Sequence, residues 1–421
     1  MKRVLLSLLL ILLAVIECRA QSAVASVRLE LGGLPAGIER ISLIPTEGEI
    51  TEIPVTVPES GSVSLWLEKE PQRLPATVAA AMDADGRIWS VRLPALDLQA
   101  DTVYRWNGTL LAPDAQDTDL KAYPLPQTLL DIEYGEYSGI TRISGNRYAV
   151  VDDNLKGGGI IFFSIPMDSD GSIGTAVMRL ADGTKNASGK ARDCEGIAFV
   201  PSTGLLYVST ENQEIREYDL AGRETGNALR IPKDLDTESI ETNRGFEALT
   251  YNDTTRLFWT TTESPLKTDT FLPRILRLQS FNADGEPGER YFYQTGELTA
   301  SSAGTSAYVH GVPALAALDD GRLIVLEREV YVPNGGFWDK LTNSFTKTDL
   351  YLVDPVHDTA GILRKSLLCS FRTGAMDLAN FEGMCLGPTL PDGTRTLVLI
   401  ADSQNGSGGL TNEYVKVILL R

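Results

Sequence analysis

The stretch Asn380–Asn405, NFEGMCLGPTLPDGTRTLVLIADSQN, contains one complete structural unit. It places a Glu-Gly pair on a short apolar strand, turns at Pro391-Asp392-Gly393 and returns as an apolar strand that ends in an acid. The same succession of small residue, strand, polar turn, strand and terminal acid occurs four more times upstream, which predicts an internal repeat. These copies begin at Ser138-Gly139-Ile140, Glu195-Gly196-Ile197, Glu247-Ala248-Leu249 and Pro313-Ala314-Leu315.

The spacing of the repeat predicts a β-propeller. The small residues of successive copies are separated by roughly 50 to 70 residues, which is the period of a propeller blade. Each of the first four copies is followed by two further strand-like segments, so that four strands are available per blade. We therefore expect an all-β fold with a C-terminal propeller over residues 127–421, in which five blades are visible. A sixth blade fits into the connections Glu297–Gly311 or Val332–Lys347.

One strand-like segment, Thr128–Tyr134, lies outside the copies. The last copy, in contrast, has only the strand Tyr414–Arg421 after its acid. We expect Thr128–Tyr134 to pair beside this C-terminal strand and to close the ring, because closure removes two exposed sheet edges.

The N-terminal part of the chain has a different pattern. Residues 21–113 contain about seven short alternating strands separated by turns, as expected for a small β-sandwich-like accessory domain. Its tryptophans Trp66, Trp89 and Trp106 are either core residues or part of a carbohydrate- or surface-binding face. Residues 114–126 are polar, contain proline and lack periodicity, which predicts a linker.

Met1–Ala20 has the features of a signal peptide. Lys2 and Arg3 precede the apolar stretch Val4–Ile16, and Cys18-Arg19-Ala20 fits a cleavage site. The apolar stretch is too short to span a bilayer. We therefore expect a periplasmic or secreted protein, cleaved near Ala20, without an integral membrane segment.

Cysteine content and charge limit the classes of partner. The mature chain keeps Cys194, Cys369 and Cys385, which leaves either one bridge, such as Cys369–Cys385, or three buried free thiols. The formal net charge of −18 makes nucleic acid and anionic membranes poor partners and cations good ones. We expect a monomer.

The repeat places acids where a propeller brings strand ends together. The innermost strand of each blade lines the central channel, so residues at its start meet at one mouth. Buried carboxylates without counter-charge cost several kcal/mol each. Ca²⁺, which accepts six to eight oxygen ligands, is the predicted cofactor, and no organic cofactor is predicted. The first ring consists of Glu136, Glu195, Glu247 and Glu382, and the second of Asp152 with Asp153, Glu211, Glu263, Glu327 with Glu329, and Asp402.

Arginines also lie beside the repeat acids. Arg192, Arg244 and Arg328 either pair with the acids around a structural channel or steady the charge of a substrate. His310 lies in a long connection that can reach the mouth and is a further catalytic candidate. The sequence has no Gly-x-Ser-x-Gly elbow, so a serine hydrolase of that type is unsupported.

Three motifs of the repeat point to a known family: Asp193–Ala198 (DCEGIA), Arg244–Thr250 (RGFEALT), and Asn380–Met384 (NFEGM) with Ile400–Ser403 (IADS). In these motifs the chain resembles the phytase-like family, bacterial domains described as having the esterase-like activity of phytase. The resemblance covers roughly Gln127–Arg421 and implies an exported propeller with possible phosphoesterase activity. Better-characterised propeller phytases hold several calcium ions in an acidic mouth, where the ions bind substrate phosphates.

The resulting hypothesis is an exported, calcium-dependent hydrolase of small phosphate esters. Two alternatives remain open: a non-catalytic cell-envelope binding module with structural calcium, and a calcium-dependent lactonase-type propeller. The candidate catalytic residues are Arg192, Arg244, Arg328 and His310, and the candidate metal ligands are Glu195, Glu211, Glu247, Glu263, Glu327, Glu382, Asp152 and Asp402.

Overall fold

The computed structural model describes residues 24–130, 135–153, 159–174, 177–180, 184–185, 193–236, 238–240, 244–270, 272–374, 377–404 and 411–421. The predicted signal peptide and Arg192 lie outside these residues. Contacts divide the chain into two compact units, Met1–Ala112 and Pro113–Arg421. None of the helices in the described part of the chain has the length and apolar character needed to cross a membrane.

The first unit consists of two main sheets that enclose one apolar core. One sheet has the strand order β4-β1-β9, with β1 and β9 parallel, and the other has the order β3-β2-β6-β7; β5 and β8 form a separate pair. Alternate residues of β1 enter the core together with Leu43 of β2 and Trp106 of β9. The strands are β1 (Ala25–Gly32), β2 (Arg40–Pro45), β3 (Thr51–Pro54), β4 (Val63–Lys69), β5 (Arg73–Leu74), β6 (Thr77–Met82), β7 (Ile88–Leu93), β8 (Leu96–Asp97) and β9 (Val103–Thr109).

The described residues of the second unit also form mainly strands, with one short α-helix, α1 (Phe337–Asn343), and one 3-10 turn, Lys233–Leu235. The prediction of an all-β chain is therefore confirmed. The strands are β10 (Ala122–Pro124), β11 (Thr128–Leu129), β12 (Tyr137–Ser144), β13 (Arg147–Asp152), β14 (Gly159–Ser164), β15 (Met178–Arg179), β16 (Thr184–Lys185), β17 (Cys194–Val200), β18 (Leu205–Thr210), β19 (Glu214–Tyr218), β20 (Glu224–Ala228), β21 (Phe246–Asn252), β22 (Leu257–Thr262), β23 (Ile275–Asn282), β24 (Pro287–Gln294), β25 (Thr305–Ala317), β26 (Leu323–Pro333), β27 (Phe345–Val353), β28 (Lys365–Gly374), β29 (Asn380–Leu386), β30 (Arg395–Asp402) and β31 (Tyr414–Leu420).

Among the described residues of this unit, the strands form five antiparallel sheets. Three follow chain order: β17 to β20, β21 to β24 and β25 to β28. In the first sheet, β12, β13 and β14 are followed by β15 and β16, which both pair with β14. In the last sheet, β29, β30 and β31 are followed by β10 and β11. The two connections considered for a sixth blade belong to the fourth sheet. They contribute the long ends of β25 and β26, together with α1, and span Glu297–Gly311 and Val332–Lys347.

The first strands of the sheets contact one another in a closed, propeller-like ring. β12 lies against β17, β17 against β21, β21 against β25, β25 against β29, and β29 returns to β12. Glycines of the repeat permit this approach. A Cβ on Gly139 would lie 2.5 Å from the carbonyl oxygen of Glu195, and one on Gly383 would lie 2.3 Å from that of Ser138. The small residue of the repeat is therefore the packing contact between neighbouring sheets.

The ring is closed by strands from both ends of the second unit. Leu129 of β11 pairs with Tyr414, as predicted for the orphan segment. The expectation that residues 114–126 form only a linker needs correction, because β10 lies within them and pairs Ala122 with Leu420. The sequence pattern hid this strand because it is short and ends in Pro124. Proline is tolerated there because β10 is an edge strand.

The three cysteines are free thiols, so the possible Cys369–Cys385 bridge is not formed. Cys194 and Cys385 are buried, and Cys369 is half-buried. Of the two states that the sequence left open, a bridge or free thiols, the structure therefore contains free thiols.

Candidate functional site

The first strand of every sheet in the ring carries a β-bulge at the start of the repeat unit, and in three of the sheets the bulge contains the repeat acid. The pairing register shifts between Cys194 and Ile197, between Phe246 and Ala248, and between Phe381 and Gly383. Equivalent shifts occur in β12 and β25. A bulge bends a strand locally and redirects a side chain. The bulges thus carry Glu195, Glu247 and Glu382 in three sheets and Ser138 in the first.

A second set of acids follows the neighbouring strands. The backbone N–H of Asp153 donates to the carbonyl of Glu136, and that of Glu211 donates to the carbonyl of Asp193 at 3.1 Å. The N–H of Glu263 donates in the same way to Gly245. Each of these bonds holds one acid of the second set beside a residue of the same sheet. That residue lies two positions before the bulged residue of the first strand.

The two sets converge at two groups of ligand atoms that share one residue. Asp153, Asp193 and Glu195 each offer an oxygen within 4.8 Å of the others, and so do Glu195, Glu211 and Glu247. Glu195 and Glu247 are buried, whereas Asp153, Asp193 and Glu211 are half-buried. The acidic cluster, as we call these five residues, is therefore reachable from solvent on one side.

Carboxyl groups of the acidic cluster contact one another directly. Asp193 is hydrogen-bonded to Glu195, and Glu211 is hydrogen-bonded to Glu247. Burial and the charges of Asp193 and Glu211 raise the pKa of Glu195 to about 8. Burial and Glu195 raise the pKa of Glu247 well above its usual range. Carboxylates this close need either shared protons or a cation between them.

Two oxygens near these contacts have no hydrogen-bond partner. Oδ1 of Asp153 and Oε1 of Gln213 are buried and unpaired. The Gln213 amide is held beside the acidic cluster because its Nε2 donates to the carbonyl of Glu211. An oxygen-only set of carboxylates and one amide suits a hard cation such as Ca²⁺.

Arg328 and Arg244 neutralise the acids on the other side of the mouth. Arg328 forms ion pairs with Glu263, at 2.7 Å, and with Glu382. Arg244 pairs with the same Glu263. Although burial lowers the pKa of Arg328, Glu263 and Glu247 outweigh this effect and raise it. The structural ion-pair interpretation therefore applies to Glu263 and Glu382, whereas none of the five acids of the acidic cluster forms an ion pair with an arginine among the described residues.

Glu327 and His310 are not among the residues that converge in the acidic cluster. Glu327 accepts hydrogen bonds from Tyr293, from Gly296 N–H at 2.7 Å and from Lys365 Nζ at 2.5 Å. His310 Nε2 is 4.0 Å from the same carboxylate, and burial lowers the pKa of its imidazole. Glu327 is adjacent to Arg328 in a strand, so it points to the opposite face of the sheet.

The sequence predicted Asp152 as a metal ligand, but the structure places its neighbour Asp153 in the acidic cluster. Strand alternation turns Asp152 away, and its carboxylate lies beside Gly135. Asp402 is fully buried and accepts from Gln404 N–H at 2.7 Å and from Asn380. Of the eight predicted ligands, the converging groups among the described residues include Glu195, Glu211 and Glu247.

Sequence reasoning missed Asp193 and Gln213 as site residues. Asp193 precedes the repeat acid by two positions, as Gly245 and Asn380 do in other copies. Gln213 lies two positions after Glu211 with φ of 59°, and Gln404 lies two positions after Asp402 with φ of 49°. The recurring acid-x-Gln pattern is the feature of the sequence that could have identified Gln213 as a site residue.

The channel below the mouth is narrow. Repeat residues such as Gly139, Gly196 and Gly383 line a space of about 10 Å³, which is enough for about one water molecule. A second cavity of about 280 Å³ opens beyond it, lined by residues such as Arg142, Phe199 and Asn252.

Comparison with known proteins identifies the family of the chain. The family model described as "Phytase-like: Esterase-like activity of phytase" matches residues 132–404, which is more than half of the chain. No curated protein matches the chain significantly.

Several solved structures are similar at low identity. Virginiamycin B lyase from Staphylococcus aureus, as a catalytically inactive variant with quinupristin, has 11% identity and a TM-score of 0.31, and the match covers 95% of this chain and 96% of that one. The selenomethionine-substituted lyase from the same organism has 13% identity and a TM-score of 0.30, with coverages of 94% and 99%. A streptogramin B lyase has 12% identity and a TM-score of 0.30, with coverages of 72% and 98%. TM-scores this low support no argument about this chain.

Proposed function

The chain belongs to the phytase-like family, described as having the esterase-like activity of phytase, and from this premise we propose that it is a calcium-dependent hydrolase of phosphate esters. The observation that carries the proposal is the pair of converging carboxylate groups that share Glu195. Buried carboxyls in mutual contact are costly unless a cation or protons compensate them. The family supplies the reaction class, and the acidic cluster supplies the reason for a metal.

The residues that would hold the metal are those of the acidic cluster. Asp153, Asp193 and Glu195 form one candidate set, and Glu195, Glu211 and Glu247 form the other. The unpaired amide oxygen of Gln213 adds a neutral ligand. Calcium bound here would polarise a phosphoryl oxygen and lower the pKa of a bound water.

The arginines have distinct roles in this proposal. Arg328 is buried between Glu263 and Glu382 and holds these carboxylates in place. The Arg244 side chain is 30% exposed. Arg244 is therefore the guanidinium that binds the substrate phosphate, and a planar guanidinium can donate two parallel hydrogen bonds to phosphate oxygens.

The finer features follow from the same reasoning. We take the ring to be a propeller of five blades, one for each sheet of the second unit. The protein acts after export and cleavage near Ala20, as a monomer on a small substrate. N-terminal sequencing of the protein secreted by an expressing bacterium tests the cleavage site, with Gln21 as the expected first residue.

A substrate screen tests the proposed activity. Purified full-length protein is assayed on phosphomonoesters, phosphodiesters, phytate and lactones, with Ca²⁺, Mg²⁺ or EDTA. We expect phosphate release that requires Ca²⁺ and is lost in the Glu195→Gln variant. Turnover of lactones alone would replace the proposal by a lactonase. Calcium binding without turnover of any ester would favour a binding module.

A further inference from the structure

The three tryptophans of the first unit occupy different environments. Trp106 is 3% exposed, and its indole N–H donates to the carbonyl of Pro94. Trp89 is half-buried, and its N–H donates to Asp83. Trp66 is 60% exposed on edge strand β4. Packing and hydrogen bonding account for Trp106 and Trp89, whereas the exposed ring of Trp66 requires another explanation.

Trp66 belongs to an ordered polar surface on the outer face of the β4-β1-β9 sheet. Alternate residues of β1 point into the core, so the intervening residues point outward. The strand register aligns these outward residues in cross-strand rows. The first row is Glu68, Ser26 and Val103, the second is Trp66, Arg28 and Arg105, and the third is Ser64, Glu30 and Asn107.

The next row forms a depression. Gly32 has no side chain, and it is flanked by Ser62, just before β4, and by Thr109 of β9. An open cavity of about 590 Å³ lies over Gly32 and extends to Asn107 and Ser64. This volume is within the range of small-molecule binding sites. Successive rows are about 7 Å apart, so the surface accommodates more than one ring of a chain-like ligand.

The polar groups of this surface are held in place before a ligand binds. Arg28 donates to Ser64 Oγ at 3.2 Å and pairs with Glu30 at 2.9 Å. The Arg28 guanidinium also lies 5.9 Å from the centre of the Trp66 ring. Side chains fixed in this way lose little conformational entropy when a ligand binds.

This composition identifies the class of ligand. A protein interface has a core of several apolar and aromatic side chains, whereas the residues next to Trp66 here are arginine, serine and glutamate, and the exposed Val103 lies at the far edge of the sheet on β9. A sugar has an apolar ring face that suits an indole and hydroxyl groups that suit such polar side chains. We propose that the outer face of the β4-β1-β9 sheet is a glycan-binding site, in which Trp66 stacks on a sugar ring and Ser64, Glu30 and Asn107 bind its hydroxyl groups. This proposal does not depend on the function proposed for the second unit.

Affinity electrophoresis of the full-length protein tests the site. The gels contain xylan, mixed-linkage β-glucan or polygalacturonate, and Trp66→Ala is run beside the wild type. We expect at least one polysaccharide to retard the wild type and the W66A variant to bind it about tenfold more weakly or worse, as is typical of a central tryptophan. The matched control is Trp338→Ala, because Trp338 is 74% exposed in the other unit; it should bind like the wild type.

Two further measurements keep the result interpretable. Circular dichroism melting should show W66A folded, because truncation of an exposed side chain costs little stability. An Asn107→Ala variant should also weaken retardation, since Asn107 lines the depression. Absence of retardation by all three polysaccharides, or equal retardation of W66A and wild type, overturns the proposal. A change in sedimentation of W66A without glycan would instead identify a self-association surface and would also overturn it.

Discussion

Replacing Glu195 by glutamine should stabilise the metal-free protein and remove much of its response to calcium. The carboxyl of Glu195 is 7% exposed and lies in both converging groups. Burial and its acidic neighbours raise its pKa from 4.5 to about 8. The folded state therefore binds more protons than the unfolded state between these pH values, and stability falls as pH rises through this window.

The size of the effect follows from this shift. A difference of one pKa unit corresponds to about 1.4 kcal/mol, so at pH 7 the buried carboxyl costs about 3 kcal/mol of unfolding free energy. Glutamine does not ionise and can donate to Asp193 or Glu211. Metal-free E195Q should therefore match the wild type near pH 4 and exceed its stability at pH 7 by up to about 3 kcal/mol.

Urea unfolding in EDTA and in saturating Ca²⁺ measures both parts of the prediction. Calcium at 100 times its dissociation constant should stabilise the wild type by about 2.7 kcal/mol, and E195Q by much less, because both sets lose their shared ligand. Glu217→Gln is the matched control. Glu217 is also buried, but Tyr207, Thr225 and Asn227 donate to it and its pKa is lowered. E217Q should therefore be less stable than the wild type at pH 7. If metal-free E195Q is destabilised at pH 7 as E217Q is, the reasoning fails.

Three further predictions test the packing and the corrected site. Gly383→Ala should lose about 1–3 kcal/mol in urea unfolding because its Cβ meets the Ser138 carbonyl, whereas Gly174→Ala, with no atom within 4 Å, should be nearly neutral; equal effects would contradict the packing argument. Lys365→Met should lose about 3–5 kcal/mol because Glu327 stays buried without its cation, yet calorimetry should show unchanged calcium affinity; weakened calcium binding in a folded variant would return Glu327 to the metal site. Asp153→Asn should weaken calcium binding about tenfold, as expected for loss of a charged ligand, whereas Asp152→Asn should not; the reverse order would restore the original assignment of Asp152.

The repeat made the ring and part of its site predictable from the sequence. The five copies marked the first strands, and the Glu-Gly pairs marked Glu195 and Glu382 at the mouth. The glycine indicated the close approach of strands that the structure contains at Gly139 and Gly383. The outward position of Trp66 was also readable, because Leu65 and Leu67 flank it in an alternating strand.

The remaining site residues could not be assigned because a strand changes face at every residue. A β-bulge adds one residue to a strand, and nothing in the sequence marks where that residue falls. The choice between Asp152 and Asp153, and between Glu327 and Arg328, depends on which face of the second strand points to the mouth. Asp193 gained its role only through the backbone bond from Glu211, which joins two strands of one sheet.

The closing sheet has a consequence for how fast the second unit folds. It pairs Ala122 with Leu420, residues far apart in the chain. The entropy of closing so long a loop must be lost before the paired strands contribute any stability, and such non-local topologies fold slowly. Opening the ring at this sheet requires the interstrand bonds between β31 and the strands β10 and β11 to break. The closing sheet that delays folding therefore also slows unfolding, so we expect a long lifetime of the folded ring.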